Sequence, residues 1–337
     1  MHIAIDAMGG DHAPEAIVEG ALLALERHPG MKMTLLGDEA RIRSCLGERG
    51  LPKGVAIEPT TQVIETGEAP LVAIRKKKDS SLMRGLTMVK EGQADGFVSA
   101  GSTGAVMAGA LFGIGRIPGI HRPALAPLLP AKGKNTMLID CGANADCKPE
   151  YLVQFGMMGS AYMQGVEGVK SPKVGLINIG AEEEKGSVLY RQVHQMLKQT
   201  TLHFVGNLEP RDVLMGQVDV IVADGFAGNM VLKSLEGTAL FMMDLMKEEF
   251  FATTRNKVGA LLLKPGLRNL KHRLDYTEIG GSALLGVQGC VIKAHGSSNP
   301  KAFSHAVDQA VSYVQNDVTA KIMEELAANA ATPAQEK

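Results

Sequence analysis

Short runs of aliphatic and β-branched residues alternate with longer stretches of helical periodicity along most of the chain. The runs at 2–6, 33–37, 55–58, 96–100, 124–129, 136–140, 173–179, 203–205 and 218–223 read as strands. Between many of them, the segments 14–27, 103–113, 149–165 and 186–199 read as helices, and a last helix covers 300–326. Strand then helix, repeated, predicts a parallel sheet covered on both faces, with ligands gathering at the carboxyl ends of the strands. One large α/β domain over 1–330 fits this pattern, with 331–337 a frayed tail.

The region 238–276 breaks the alternation. It opens as a long helix, TALFMMDLMKEEFF, and runs into a segment with six Lys or Arg and no acidic residue between Arg255 and Arg273. A bare VGALLL sits among those charges. The composition predicts a helical protrusion rather than part of the sheet. Leu261, Leu262 and Leu263, edged by Lys264 and Arg268, suit a membrane interface. A dimerisation or core helix is the alternative.

Several predicted strand ends carry glycine beside polar residues: AMGGDHAP, AGSTGA, CGANAD, GAEEEKG and DGFAGN. A connector can be anything polar, so this recurrence predicts one shared crevice. In SAGSTGA, Gly101 and Gly104 flank Ser102 and Thr103 at the opening of an apolar helix. Bare backbone N–H groups at a helix start favour an anion, although Ser and Thr there also serve as caps. Lys185, after three glutamates, reads either as a mobile phosphate contact or as a solvated lysine in a first helical turn. Asp224 can orient a neighbouring donor. If a helix starts near Gly225, Asn229 and Lys233 share one face. His295 in HGSSN reads as an acid/base or a surface turn, and Asp11 and His12 carry the same ambiguity.

Bulk properties narrow the chemistry. The chain has 337 residues with 35 Lys+Arg against 36 Asp+Glu, a formal net charge of −1, so no global field points to nucleic acid. Aromatic residues make up 4% and tryptophan is absent, which weakens any base-stacking surface. The four cysteines form no Cys-x-x-Cys pair and no His cluster has metal-ligand spacing, so no metal or cofactor is expected. Cys141, in CGANAD, has no partner His that spacing can assign, which argues against a thiol nucleophile. GxxxxGK[ST], GxGxxG and GxSxG are all missing. Chemistry without an activated Ser or Cys must take its nucleophile from a substrate. The N-terminal MHIAID starts as a strand without a signal-peptide pattern, which predicts a cytoplasmic protein. The 20 uncharged residues between Asp95 and Arg116 contain six glycines and read as strand, turn and buried helix rather than a membrane span.

Seven motifs in order, AIDAMGGDHAP, VSAGSTGA, DCGANAD, NIGAEEEKG, DGFAGN, LKSLEG and VIKAHGSSN, resemble the bacterial acyl-[acyl carrier protein]–phosphate acyltransferases. The match covers nearly the whole chain. Ser102 stands where the family usually has Asn, and IGG at 279–281 replaces a usual Tyr-Gly-Gly. The resemblance implies a three-layer α/β/α sandwich with a mostly parallel sheet, similar to phosphotransacetylases and isocitrate-dehydrogenase-like enzymes. It implies a homodimer that moves a long-chain acyl group from acyl carrier protein to inorganic phosphate, and hands acyl phosphate to a membrane glycerol-3-phosphate acyltransferase. The expected catalytic set is Lys185, His295, Asp224 and Asn229. Phosphate and substrate are expected at Gly9, Gly10, Asp11, Ser99, Gly101, Ser102, Thr103, Gly104, Asp140, Asn144 and Lys233. The basic 255–273 segment would meet acidic carrier protein, the other subunit, or the anionic inner face of the membrane, to which the protein would bind peripherally.

Overall fold

The computed structural model describes the backbone of residues 1–274 and 280–330, and the side chains of the same residues apart from 268–274. The predicted tail at 331–337 lies outside the described residues, as do Ile279 and the end of the predicted protrusion. In chain order the elements are β1 (His2–Asp6), α1 (Glu15–Arg27), β2 (Lys32–Gly37), α2 (Glu39–Leu46), β3 (Val55–Pro59), α3 (Pro70–Lys76) and α4 (Ser81–Lys90). There follow β4 (Gly96–Ser99), α5 (Thr103–Gly113), β5 (Ala124–Ala131), β6 (Lys134–Ile139), α6 (Pro149–Gly165), β7 (Lys173–Ile177), α7 (Val188–Leu197) and β8 (His203–Leu208). The chain continues through β9 (Val220–Val222), α8 (Gly225–Phe251), α9 (Thr254–Leu274), β10 (Gly281–Leu285), β11 (Cys290–Ala294), α10 (Pro300–Gln315) and α11 (Val318–Ala330).

The eleven strands among the described residues form one sheet, ordered β3-β2-β1-β4-β11-β10-β5-β6-β9-β7-β8. Seven neighbouring pairs are parallel and three, β11/β10, β10/β5 and β5/β6, are antiparallel. The sheet is thus mostly parallel, but it comprises two parallel blocks that run in opposite directions. β3, β2, β1, β4 and β11 form one block, and β6, β9, β7 and β8 the other. β10 and β5 are the seam. The single common rim expected from the sequence is therefore corrected: each block has its own carboxyl edge, and only the seam brings them near each other.

Helices cover both faces. Phe155 and Tyr162 of α6 and Phe303 and Val307 of α10 are buried against one face, with Ile17 of α1. Leu82 and Leu86 of α4 and Val106 and Ala110 of α5 fill the other face of the first block. A smaller core of Leu138, Ile177 and Ile221 lies under Val231, Leu232 and Leu235 of α8. This is the three-layer sandwich. β10 and β11 escaped the sequence pattern, because the first is short and glycine-led and the second carries Lys293 inside an apolar run. The predicted helix 300–326 is two helices, broken where Asp317 takes φ 44°.

The predicted protrusion begins earlier than 238. α8 starts at Gly225, with only Gly225 and Gly228 buried, and runs outward to Phe251 before α9 turns back on it. Among the described residues, no helix is long and apolar enough to cross a membrane. The uncharged stretch after Asp95 is β4, a turn and α5.

Candidate active site

β1, β4 and β11 each end in a glycine-bearing turn, and the three turns touch. Asp6 is buried at the end of β1, where its Oδ2 accepts from Ser99 Oγ at 2.6 Å. Ser99 Oγ in turn accepts from the Gly101 backbone N–H at 3.0 Å. Burial lifts the Asp6 carboxyl above its ordinary range, against the hydrogen bonds from Ser81, Ser99 and the backbone N–H groups of Met8 and Gly9. The N–H of Asp11 donates to the Gly296 carbonyl at 2.8 Å, joining the first turn to the third. Gly10, at φ 106°, lies against Ala100 and the Gly296 carbonyl, where a side chain would be both strained and crowded.

A second group of turns belongs to the other block. Asp140, fully buried after β6, accepts from the backbone N–H groups of Leu125 (3.0 Å), Ala143 (3.2 Å) and Asn144 (2.7 Å), and from Asn144 Nδ2 (2.9 Å). Burial nonetheless pushes its carboxyl up to about 6. Asn144 Nδ2 also donates to the Pro123 carbonyl, while the Asn144 carbonyl accepts from the Gly225 N–H at the start of α8. Gly228 is forced: a Cβ there would sit 1.9 Å from the Asp140 carbonyl oxygen. The α8 N-terminus is thereby clamped onto the β6 turn.

Between the two groups lies a cavity of about 370 Å³ over the seam. Thr103, His295 and Gly296 line it from the first block, Gly142, Asn229 and Lys233 from the second, and Pro127 and Ser282 from the seam. Lys233 Nζ pairs with Glu236 at 2.6 Å, one turn on along α8. His295 Nδ1 accepts from the Ser297 N–H at 3.3 Å and lies 2.8 Å from Ser297 Oγ, so the neutral ring carries its proton on Nε2. Burial holds the imidazole below its usual value, and Lys233 and Lys293 add to that. The result is a neutral N–H donor beside two cations, which suits a dianion and a developing oxyanion.

Thr103, Asn229, Lys233 and His295 therefore share one cavity, as the sequence suggested. Gly9, Gly10, Asp11, Ser99, Gly101, Asp140 and Asn144 stand behind it and shape the turns. Ser102 precedes α5 without a side-chain cap bond, and Gly104 packs on Pro70. Lys185 and Asp224 are placed elsewhere. The Lys185 carbonyl accepts from Asn178 Nδ2 at 3.1 Å, and its exposed side chain lies over Gly180. Asp224 caps α8 by accepting from the Ala227 N–H at 2.8 Å, and accepts from Tyr190 Oη at 2.8 Å. Its second pocket, about 290 Å³ and mostly apolar, is also lined by Ile177, Gly186 and Tyr190. Cys141 is buried, and burial raises its thiol well above the ordinary value, which leaves no thiolate nucleophile. No group of His, Cys, Asp or Glu among the described residues is arranged to hold a metal.

Lys293 is the site residue the sequence reading missed. It lines the cavity while only 8% exposed. A signal was present: IDAMGG, VSAGS and IKAHGS each follow an apolar run with one polar residue, an alanine and a glycine turn.

The family model described as "Fatty acid synthesis protein" matches residues 1–321. The chain belongs to this family. Among curated relatives, the phosphate acyltransferase of Clostridium acetobutylicum is 50% identical, over 97% of this chain and 99% of that protein. The family connects the chain to acyl transfer in fatty acid synthesis. Solved structures agree on the fold. A phosphotransacetylase from Streptococcus pyogenes superimposes with a TM-score of 0.63 at 18% identity, covering 94% of each chain. A branched-chain phosphotransacylase from Enterococcus faecalis gives 0.60 at 15% identity, covering 94% of this chain and 99% of that one.

Proposed function

We propose that the protein transfers a long-chain fatty acyl group from acyl-[acyl carrier protein] to inorganic phosphate, forming acyl phosphate for phospholipid synthesis. The observation that carries this reading is the single cavity in which a helix N-terminus, Asn229, Lys233 and a neutral His295 converge with no activated protein nucleophile beside them. Hydrogen phosphate held there is the attacker. One of its oxygens bonds to the thioester carbonyl carbon, and the carbonyl electrons move onto oxygen. His295 Nε2–H and backbone N–H groups stabilise that oxyanion. On collapse the C–S bond breaks, sulfur leaves as thiolate, and the proton of the hydrogen phosphate ends on the sulfur. Orientation and exclusion of water supply most of the acceleration.

The exposed pair α8–α9 supports the partner side of the proposal. Leu261, Leu262 and Leu263 are 68%, 78% and 57% exposed, and Lys264 beside them is exposed too. Arg268 lies on α9, with its side chain outside the described residues. An apolar edge beside lysines suits peripheral attachment to an anionic leaflet, next to the membrane acyltransferase that consumes the product. A homodimer belongs to the same proposal.

The test is direct. Purified protein incubated with phosphate and palmitoyl-[acyl carrier protein] should yield acyl phosphate, trapped as hydroxamate, in far greater amount than with acetyl-CoA. Equal or greater yield from acetyl-CoA would replace the reading with a short-chain phosphotransacetylase. Binding of carrier protein without phosphate-dependent product would point to a scaffold.

A further inference from the structure

Three adjacent strands of the first block end on one polar row. Asp6 of β1 registers with Ser99 of β4, and Ser99 with Lys293 of β11. The row continues to Ser282 of β10 and closes at Pro127 of β5. Register partners share a face of the sheet. Two residues earlier, that face carries Ala4, Phe97 and Val291, all fully buried in the apolar layer under α4 and α5. A carboxylate, a hydroxyl, an ammonium and a second hydroxyl thus stand in line between that layer and the cavity.

Lys293 is the costly member of the row. A buried ammonium is tolerated only when paired or well hydrogen-bonded. Its Nζ donates to the carbonyls of Ala100, at 3.3 Å, and Ala294. Neither acceptor is charged, and Asp6 on the same row already receives Ser99. An apolar side chain would end the strand at lower cost. Across the cavity Lys233 sets a second positive charge against it, a repulsion that an anion between them removes.

We propose that Lys293 is a positioning residue for phosphate. Its ammonium holds the Ala100 carbonyl, and with it the turn that presents the start of α5, and it charges the cavity floor. It therefore governs affinity for phosphate and not for the acyl donor. This inference rests on the reading of the cavity as the phosphate site of acyl transfer.

The geometry has a pH signature. Burial draws the lysine down to about 8, with Asp6 and Asp11 opposing and Lys233 reinforcing the shift. Among the described residues, His295 in the turn after β11, Glu236 on α8 and the buried Cys141 complete the titratable groups that line the cavity; β10 and α5 contribute the hydroxyls of Ser282 and Thr103, and β4 sets Ser99 in register beside Lys293. Below that pH the ammonium is charged. Above it the charge is lost, and phosphate binding weakens although phosphate itself stays dianionic.

Steady-state kinetics on the full chain, varying phosphate and palmitoyl-[acyl carrier protein] separately on both sides of pH 8, tests this. In the wild type the phosphate KM should rise above about pH 8 while the acyl-donor KM stays flat. Lys293→Met should raise the phosphate KM about ten- to hundredfold at neutral pH, leave the acyl-donor KM nearly unchanged, and abolish the pH-dependent rise. Lys293→Arg, charged throughout, should recover phosphate affinity and show no rise. Both KM values moving together in Lys293→Met, or a flat wild-type phosphate KM, would overturn the proposal. Should either variant fail to fold, or the wild type form no acyl phosphate, thermal stabilisation of the wild type by inorganic phosphate decides. That stabilisation shrinks above pH 8 if Lys293 acts as proposed, and a constant or absent stabilisation refutes it.

Discussion

A Cβ on Gly9 would lie 2.5 Å from Asp6 Oδ2 and 2.7 Å from the Gly101 nitrogen, so two strand-end turns meet through a missing side chain. The glycine-rich turns could be found in the sequence because glycine is needed where backbones approach this closely. What those turns hold was harder to see. Thr103, Asn229 and Lys233 follow turn glycines, His295 stands just before one, and all four are legible by position. Lys293 sits inside an apolar strand, and only register with Ser99 and Asp6 gives it meaning. Asp140 reads in sequence as a ligand contact, yet its carboxylate accepts from its own turn and from Leu125. Its titration yields a prediction. Its carboxyl is raised from 3.8 to about 6 in the folded protein, so its contribution to stability is present below about pH 4 and is lost as pH rises through 6. Asp140→Asn cannot ionise. In urea titrations from pH 4 to pH 7, the wild type should lose stability relative to this variant, and a constant gap between them would remove Asp140 as the cause.

Elements show where sequence periodicity stops being informative. Strands flanked by helices were visible, because buried parallel strands are continuous apolar runs. β10 was not, since its leading Gly280 and Gly281 resemble a loop until the antiparallel partners β5 and β11 supply its hydrogen bonds. The sequence reads as a protrusion from 238 and, separately, as a helix opening near Gly225; one continuous α8 joins the two, and burial of Gly225 and Gly228 against the β6 turn fixes its start. Farther out, Leu240, Phe241 and Phe251 on α8 and Leu261 to Leu263 on α9 are exposed, an apolar surface larger than scattered side chains require. If this surface meets an anionic bilayer, Leu262→Asp should abolish flotation of the protein with phosphatidylglycerol liposomes while leaving soluble acyl transfer intact. Equal flotation of the two proteins would exclude the membrane role and leave carrier protein or a second subunit as the occupant.

At the scale of the molecule, the opposed directions of the two blocks decide where the cavity lies. A uniformly parallel sheet would gather all its turns along one edge. Here the edges face apart, and the seam of β10 and β5 supplies the ground on which turns from both blocks meet. Nine of the eleven strands and the helix coverage of both faces follow from the sequence pattern. The reversal does not, because strand direction depends on long-range pairing that periodicity does not encode. A ligand bridging the blocks should stabilise them together. Inorganic phosphate at about a hundred times its Kd should add about 2.7 kcal/mol and shift one cooperative melting transition. Lys233→Ala should diminish that shift from the second block's side. Two transitions, with only one responding to phosphate, would mean that the blocks do not share the ligand.

One helix links the cavity to the outermost surface. α8 is 27 residues long, a rod of about 40 Å, pinned at Gly225 and Gly228 and free of the core beyond its first turns. Asn229 and Lys233 sit just past that pivot, and the leucine-bearing hairpin lies at the far end. Such a rod is anchored at the end that lines the cavity and carries exposed apolar residues toward the other. A grip on its tip, whether by lipid or by protein, would act on the same helix that carries Asn229 and Lys233 into the cavity wall.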